Sequence, residues 1–77
     1  MKEILNDEFN RYILYEDEIG QFWLDVSCGA VFLYDALIRL LPDEVNEFKK
    51  RKSYLDELSF QIAKDPEKYL NRNENKI

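Results

Sequence analysis

The sequence predicts an α+β domain: a three-stranded antiparallel meander followed by one or two C-terminal helices packed on one of its faces. Three observations carry this reading. The eight residues Gln21-Phe22-Trp23-Leu24-Asp25-Val26-Ser27-Cys28 alternate apolar and polar toward their C-terminal end, as residues do along a half-buried strand. The only two glycines of the chain, Gly20 and Gly29, bracket that run, where the backbone has to reverse and only glycine enters positive φ without steric cost. Beyond Pro42 the apolar spacing lengthens to three and four residues, the period of a helix.

Taken in order, Phe9 to Glu16 contains Phe9, Tyr12, Ile13, Leu14 and Tyr15, a β-branched and aromatic run that suits a first strand. Asp17-Glu18-Ile19-Gly20 is its turn. The second strand, Gln21 to Cys28, sets Phe22, Leu24, Val26 and Cys28 on one face and Trp23, Asp25 and Ser27 on the other, and the first set is the core face. Val31 to Leu41 fits two periods. Phe32, Tyr34, Ala36, Ile38 and Leu40 recur at two, whereas Leu33, Leu37, Leu40 and Leu41 suit a helix. We read a strand, because Pro42-Asp43-Glu44 announces a new helix, with proline at its first position and acids in its first turn.

Val45 and Phe48, then Leu55, Leu58 and Ile62, continue the helical pattern. Ser53 as N-cap with Asp56 in the capping-box position gives two helices; without that cap, one long helix bends near Lys52 and Ser53. Asp65-Pro66-Glu67 stops the helix and opens a final turn holding Tyr69 and Leu70, after which Asn71 to Lys76 is polar and expected to fray. The chain reads as a single domain, 1–77, mainly β over 1–41 and mainly α over 42–70.

The block Phe22-Trp23-Leu24-Asp25-Val26-Ser27-Cys28-Gly29, followed by an aromatic strand, Leu-Pro-Asp-Glu-Val and a helix ending in Asp-Pro-Glu-Lys-Tyr, resembles small bacterial single-domain proteins with no assigned role. The likeness spans about residues 20–70. It implies a shared fold and transfers no catalytic or binding residue.

Size and charge narrow the function classes. A chain of 77 residues buries only about 60% of its unfolded surface, so a dense aromatic core or a homodimer is the natural compensation. Cys28 is the only cysteine, which rules out an internal disulfide, and an acidic start in place of a basic, apolar leader suggests a cytoplasmic protein. The longest apolar run, Leu33 to Leu41, is interrupted by Asp35 and Arg39 and is too short to cross a bilayer. Of the net charge of −5, all arises in residues 1–26, where seven acids face Lys2 and Arg11; residues 27–77 hold nine of each sign. Such a surface repels phosphate and argues against nucleic acid as a partner. The run Lys49-Lys50-Arg51-Lys52 points around a helix beside Glu47, Asp56 and Glu57 and reads as a solvated, salt-bridged surface.

The chain has no histidine, the side chain that most often serves acid–base catalysis and metal binding near neutrality. Cys28 falls on the core face, where a buried thiol is inert. Glu16, Asp17 and Glu18 alternate in direction and lack the spacing of a calcium loop. Neither a metal nor a cofactor is expected, and two glycines cannot build a phosphate-binding loop. Carboxylate chemistry survives only if a cleft brings Asp25 and Asp35 together, so the expectation is a protein that is not an enzyme.

What remains is surface. Trp23 and Asp25, with whichever of Tyr12 or Tyr15 shares their face and with Glu16, Asp17 and Glu18 nearby, form a candidate protein-binding patch. Its partner would be a basic protein, met in the manner of small inhibitors or immunity proteins. Two readings compete with it. Ile4 and Leu5 could fold over Trp23 and bury it as core, or the open face could be covered by a second copy in a homo-oligomer.

Overall fold

The computed structural model describes residues 1–28 and 34–74. Four strands, β1 (Lys2–Asp7), β2 (Tyr12–Glu16), β3 (Phe22–Cys28) and β4 (Tyr34–Arg39), precede α1 (Pro42–Lys50), α2 (Ser53–Lys64) and a 3-10 segment, Pro66–Arg72. The strands pair antiparallel in sequence order. The α+β meander is as expected, but with four strands in place of three.

The added strand is β1, which lies beside β2 as an edge. Its register shifts between Glu3 and Leu5, and this bulge turns Ile4 and Leu5 out of simple alternation. They therefore do not fold over Trp23: Ile4 is exposed and Leu5 packs at the margin of the core. The first expected strand also begins later, at Tyr12. Asp7 accepts hydrogen bonds from the backbone and side-chain nitrogens of Asn10 (2.9 and 3.0 Å), an Asx turn that takes the preceding residues out of the ladder. Arg11 closes that turn at φ 62°, and Phe9 stands almost wholly in solvent at the hairpin tip.

The turn from β2 to β3 depends on Gly20, whose φ of +87° belongs to glycine. The turn expected at Gly29, and residues 31–33 of the last expected strand, lie outside the described residues. Over Tyr34–Arg39 the strand reading holds.

Both helices cover one face. Tyr12, Leu14, Leu24, Val26, Cys28, Ala36, Ile38 and Leu40 from the sheet meet Leu55, Leu58 and Ile62 of α2, and each large aliphatic side chain so buried contributes about 1.5–3 kcal/mol. α1 adds Val45 and Phe48 at the rim, the latter edge-on to Phe22 with centroids 5.2 Å apart. Pro42 opens α1 as expected, and the Leu41 amide donates to Glu44 Oε1 at 2.8 Å. The helices are two, but Ser53 is not the cap: α2 is preceded by Lys52, which offers no side-chain cap. Asp56 is engaged elsewhere, accepting the Tyr12 hydroxyl at 2.8 Å.

Within the described residues the tail makes contacts as far as Glu74. Arg72 makes a two-pronged ion pair with Glu44 and donates to the Arg39 carbonyl. Asn73 is buried and takes the Leu37 amide on its Oδ1 at 3.0 Å, while the Glu74 amide donates to the Leu37 carbonyl. The chain end thus closes the outer edge of β4, which would otherwise offer unpaired backbone groups. Among the described residues no helix is long and apolar enough to cross a membrane.

Candidate functional site

Strand alternation and the cross-strand register together define the sheet face turned away from the helices. Tyr15 pairs with Trp23, Ile13 with Asp25, Asp25 with Leu37, Ser27 with Asp35, and Trp23 with Arg39. None of these side chains is buried. The result is a patch in which Ile13, Tyr15, Trp23 and Leu37 surround a central acid, Asp25.

Trp23 is held in place on that patch. Asp17 accepts at Oδ1 from the amides of Ile19 (3.0 Å) and Gln21 (2.8 Å), and at Oδ2 from the indole Nε1 of Trp23 (2.9 Å). The indole bond above all keeps the Asp17 carboxyl below its ordinary range. Asp17 is therefore occupied by its own turn, and its part at the patch is to position the Trp23 ring.

Asp25 and Asp35 stand on neighbouring strands in diagonal register positions, Asp25 opposite Leu37 and Asp35 opposite Ser27. Both line a cleft of about 250 Å³ with Arg11, Ile13 and Ser27. Burial, and then the charge of Asp35, raise the Asp25 carboxyl above its ordinary value. Asp35 accepts the Ser27 hydroxyl at 3.3 Å. No donor among the described residues bonds to the Asp25 carboxylate. Tyr15 registers the same field: burial raises its hydroxyl, followed by the charges of Asp25, Glu3 and Asp35.

The remaining expected residues are distributed elsewhere. Of the two tyrosines considered for this face, Tyr15 is on it. Tyr12 faces the opposite way, 2% exposed in the core, because its position in β2 has the parity of Leu14. Glu16 pairs with Phe22 on the helix side, and Glu18 is exposed in the turn; together with Asp17 they border a shallow hollow beside Met1 and Lys2. Ile13 and Leu37 were missed as site residues, although both share the parity of residues already placed there. Their register opposite Asp25 could not be read from the chain.

A second hollow, of about 480 Å³, lies between the β2–β3 turn and α1. Its apolar lining includes Phe22 and Val45, which pack against the core, and Lys49 lies over the Phe22 ring with its Nζ 5.5 Å from the centroid. Gln21, Arg39 and Asn46 complete its polar lining. Cys28 is buried and its thiol is raised by burial above all, the opposite of an activated nucleophile. Among the described residues no cluster of side chains suits a metal ion.

Comparison with family models, with curated proteins and with solved structures finds no match for the chain. The functional reading rests on the surface itself.

Proposed function

We propose that the protein is a non-enzymatic binding module whose outer sheet face docks a basic protein partner. The observation that carries this is the pairing of Tyr15 with Trp23 beside the Asp25 carboxylate, to which no donor among the described residues bonds, on a face where the residues just paired are not buried. Amphipathic rings framed by charge are the composition of interaction hot spots. Glu3, Asp25 and Asp35 outnumber Arg39 on this face, and an excess of negative charge speeds association with a positive surface in a salt-dependent way.

Self-association is the other occupant to weigh. A two-fold dimer through this face would bring together two copies of the same surface, on which Glu3, Asp25 and Asp35 outnumber Arg39, and the excess of like charge across such an interface is unfavourable, so charge favours a different, basic chain. Affinity capture from native extract at low and at high salt tests the proposal. A basic protein recovered at low salt and released by high salt supports it; recovery of the chain alone, at either salt, refutes it in favour of the self-assembling module.

A further inference from the structure

The centre of the outer face specifies more than a positive partner. Asp25 lies between Ile13 and Leu37 across the two neighbouring strands, and no donor among the described residues reaches its carboxylate. Arg11 lines the same cleft, yet no ion pair joins it to Asp25. A partly desolvated carboxylate in an apolar frame is costly by itself and becomes favourable once a cation meets it.

Two residues before Asp25 on the same face stands Trp23, its ring fixed by the Asp17 bond at 2.9 Å. Side chains separated by two positions on a strand lie about 6.6 Å apart. A guanidinium can span that distance, stacking on the ring while it bonds to the acid. An ammonium, a compact and strongly hydrated point charge, satisfies one contact or the other and loses more on leaving water.

We propose that this face takes one arginine side chain of the partner, its guanidinium laid against the Trp23 ring and hydrogen-bonded to Asp25, with Asp35 adding negative charge beside it. The proposal rests on the docking reading and adds the identity of the anchoring residue. Trp23, Asp25 and Asp35 form the receiving site; Asp17 acts through Trp23 as a positioning residue.

The test uses the full chain, isotopically labelled, titrated at constant ionic strength with N-acetyl-arginine N-methylamide and separately with the lysine analogue. Trp23 is the only tryptophan, so its indole N–H signal is unambiguous, and the Asp25 carboxyl carbon supplies the second reporter. The arginine probe is expected to shift both, at concentrations roughly two- to fivefold lower than the lysine probe, the margin that stacking on a partly exposed ring provides. Asp25→Asn should weaken the Trp23 response, with the amide spectrum elsewhere unchanged. Equal responses to the two probes, no response to either, or an undiminished response in Asp25→Asn overturns the proposal. A captured partner that is lost on replacing Trp23 but retained by Asp25→Asn overturns the arginine anchor alone and leaves the docking face standing.

Discussion

Removing the Tyr12 hydroxyl isolates the bond that ties the sheet to α2. Tyr12 is 2% exposed and its hydroxyl donates to Asp56 Oδ1 at 2.8 Å across a sequence separation of 44 residues. A hydrogen bond to a charged acceptor is worth about 1.5–3 kcal/mol and a neutral one about 0.5–1.5 kcal/mol. Asp56 is only half-buried and regains water when the hydroxyl is removed, which places Tyr12→Phe at about 1–1.5 kcal/mol. For a domain of this size that lowers Tm by roughly 6–9 °C, against a total stability of about 4–12 kcal/mol.

The same residue carries a pH signature. Burial, then the Asp56 hydrogen bond and charge, push the Tyr12 hydroxyl well above its ordinary 10.0. Unfolded Tyr12 ionises near its ordinary value while the folded residue stays protonated. Its contribution is therefore complete below that pH and is lost as pH rises toward the folded value. Thermal melts of wild type, Tyr12→Phe, Asp56→Asn and the double variant, each followed into the alkaline range, check both statements. An unchanged Tm for Tyr12→Phe, additive effects in the double variant, or an equal alkaline slope in wild type and Tyr12→Phe would refute the reasoning.

Three further outcomes follow from named contacts. Asp25→Asn should raise Tm at pH 7 and leave it unchanged near pH 3, because a carboxyl raised by burial and by Asp35 favours the folded state only while protonated; a lower Tm at pH 7 contradicts this. Arg72→Ala removes a pair whose side chains are each 13% exposed, between the surface and buried limits, and should cost about 1–3 kcal/mol. It should also speed amide exchange at Leu37, which Asn73 protects; unchanged exchange there would show that Arg72 does not secure the tail. Gly20→Ala meets no atom within 4 Å, so its cost is the backbone strain at φ +87° alone, about 1–2 kcal/mol, read as a shift in the urea midpoint at constant slope.

Where one face of an element alternates cleanly, the chain announces its structure. Phe22 to Cys28 is β3, Ala36 and Ile38 face the core, and Pro42 opens α1. β1 was hidden because its bulge sets Ile4 and Leu5 side by side and erases the period of two. Ser53 looked like a cap because its neighbours fit the motif, yet Asp56 bonds instead to Tyr12, a partner chosen by tertiary packing. The polar tail looked unable to order itself, since nothing local shows that the edge of β4 needs Asn73. At the candidate face, Trp23, Asp25 and Tyr15 were visible through parity. The Asp17 clamp and the apolar frame of Ile13 and Leu37 required the register between strands.

The most direct test of the docking face is a side-by-side capture at low salt with three baits: wild type, Trp23→Ser and Tyr15→Ser, each first shown to keep its far-ultraviolet spectrum and a cooperative melt. The account predicts that a basic protein recovered by wild type is strongly depleted by both variants. Equal recovery by all three folded baits would place binding elsewhere on the molecule and contradict the claim.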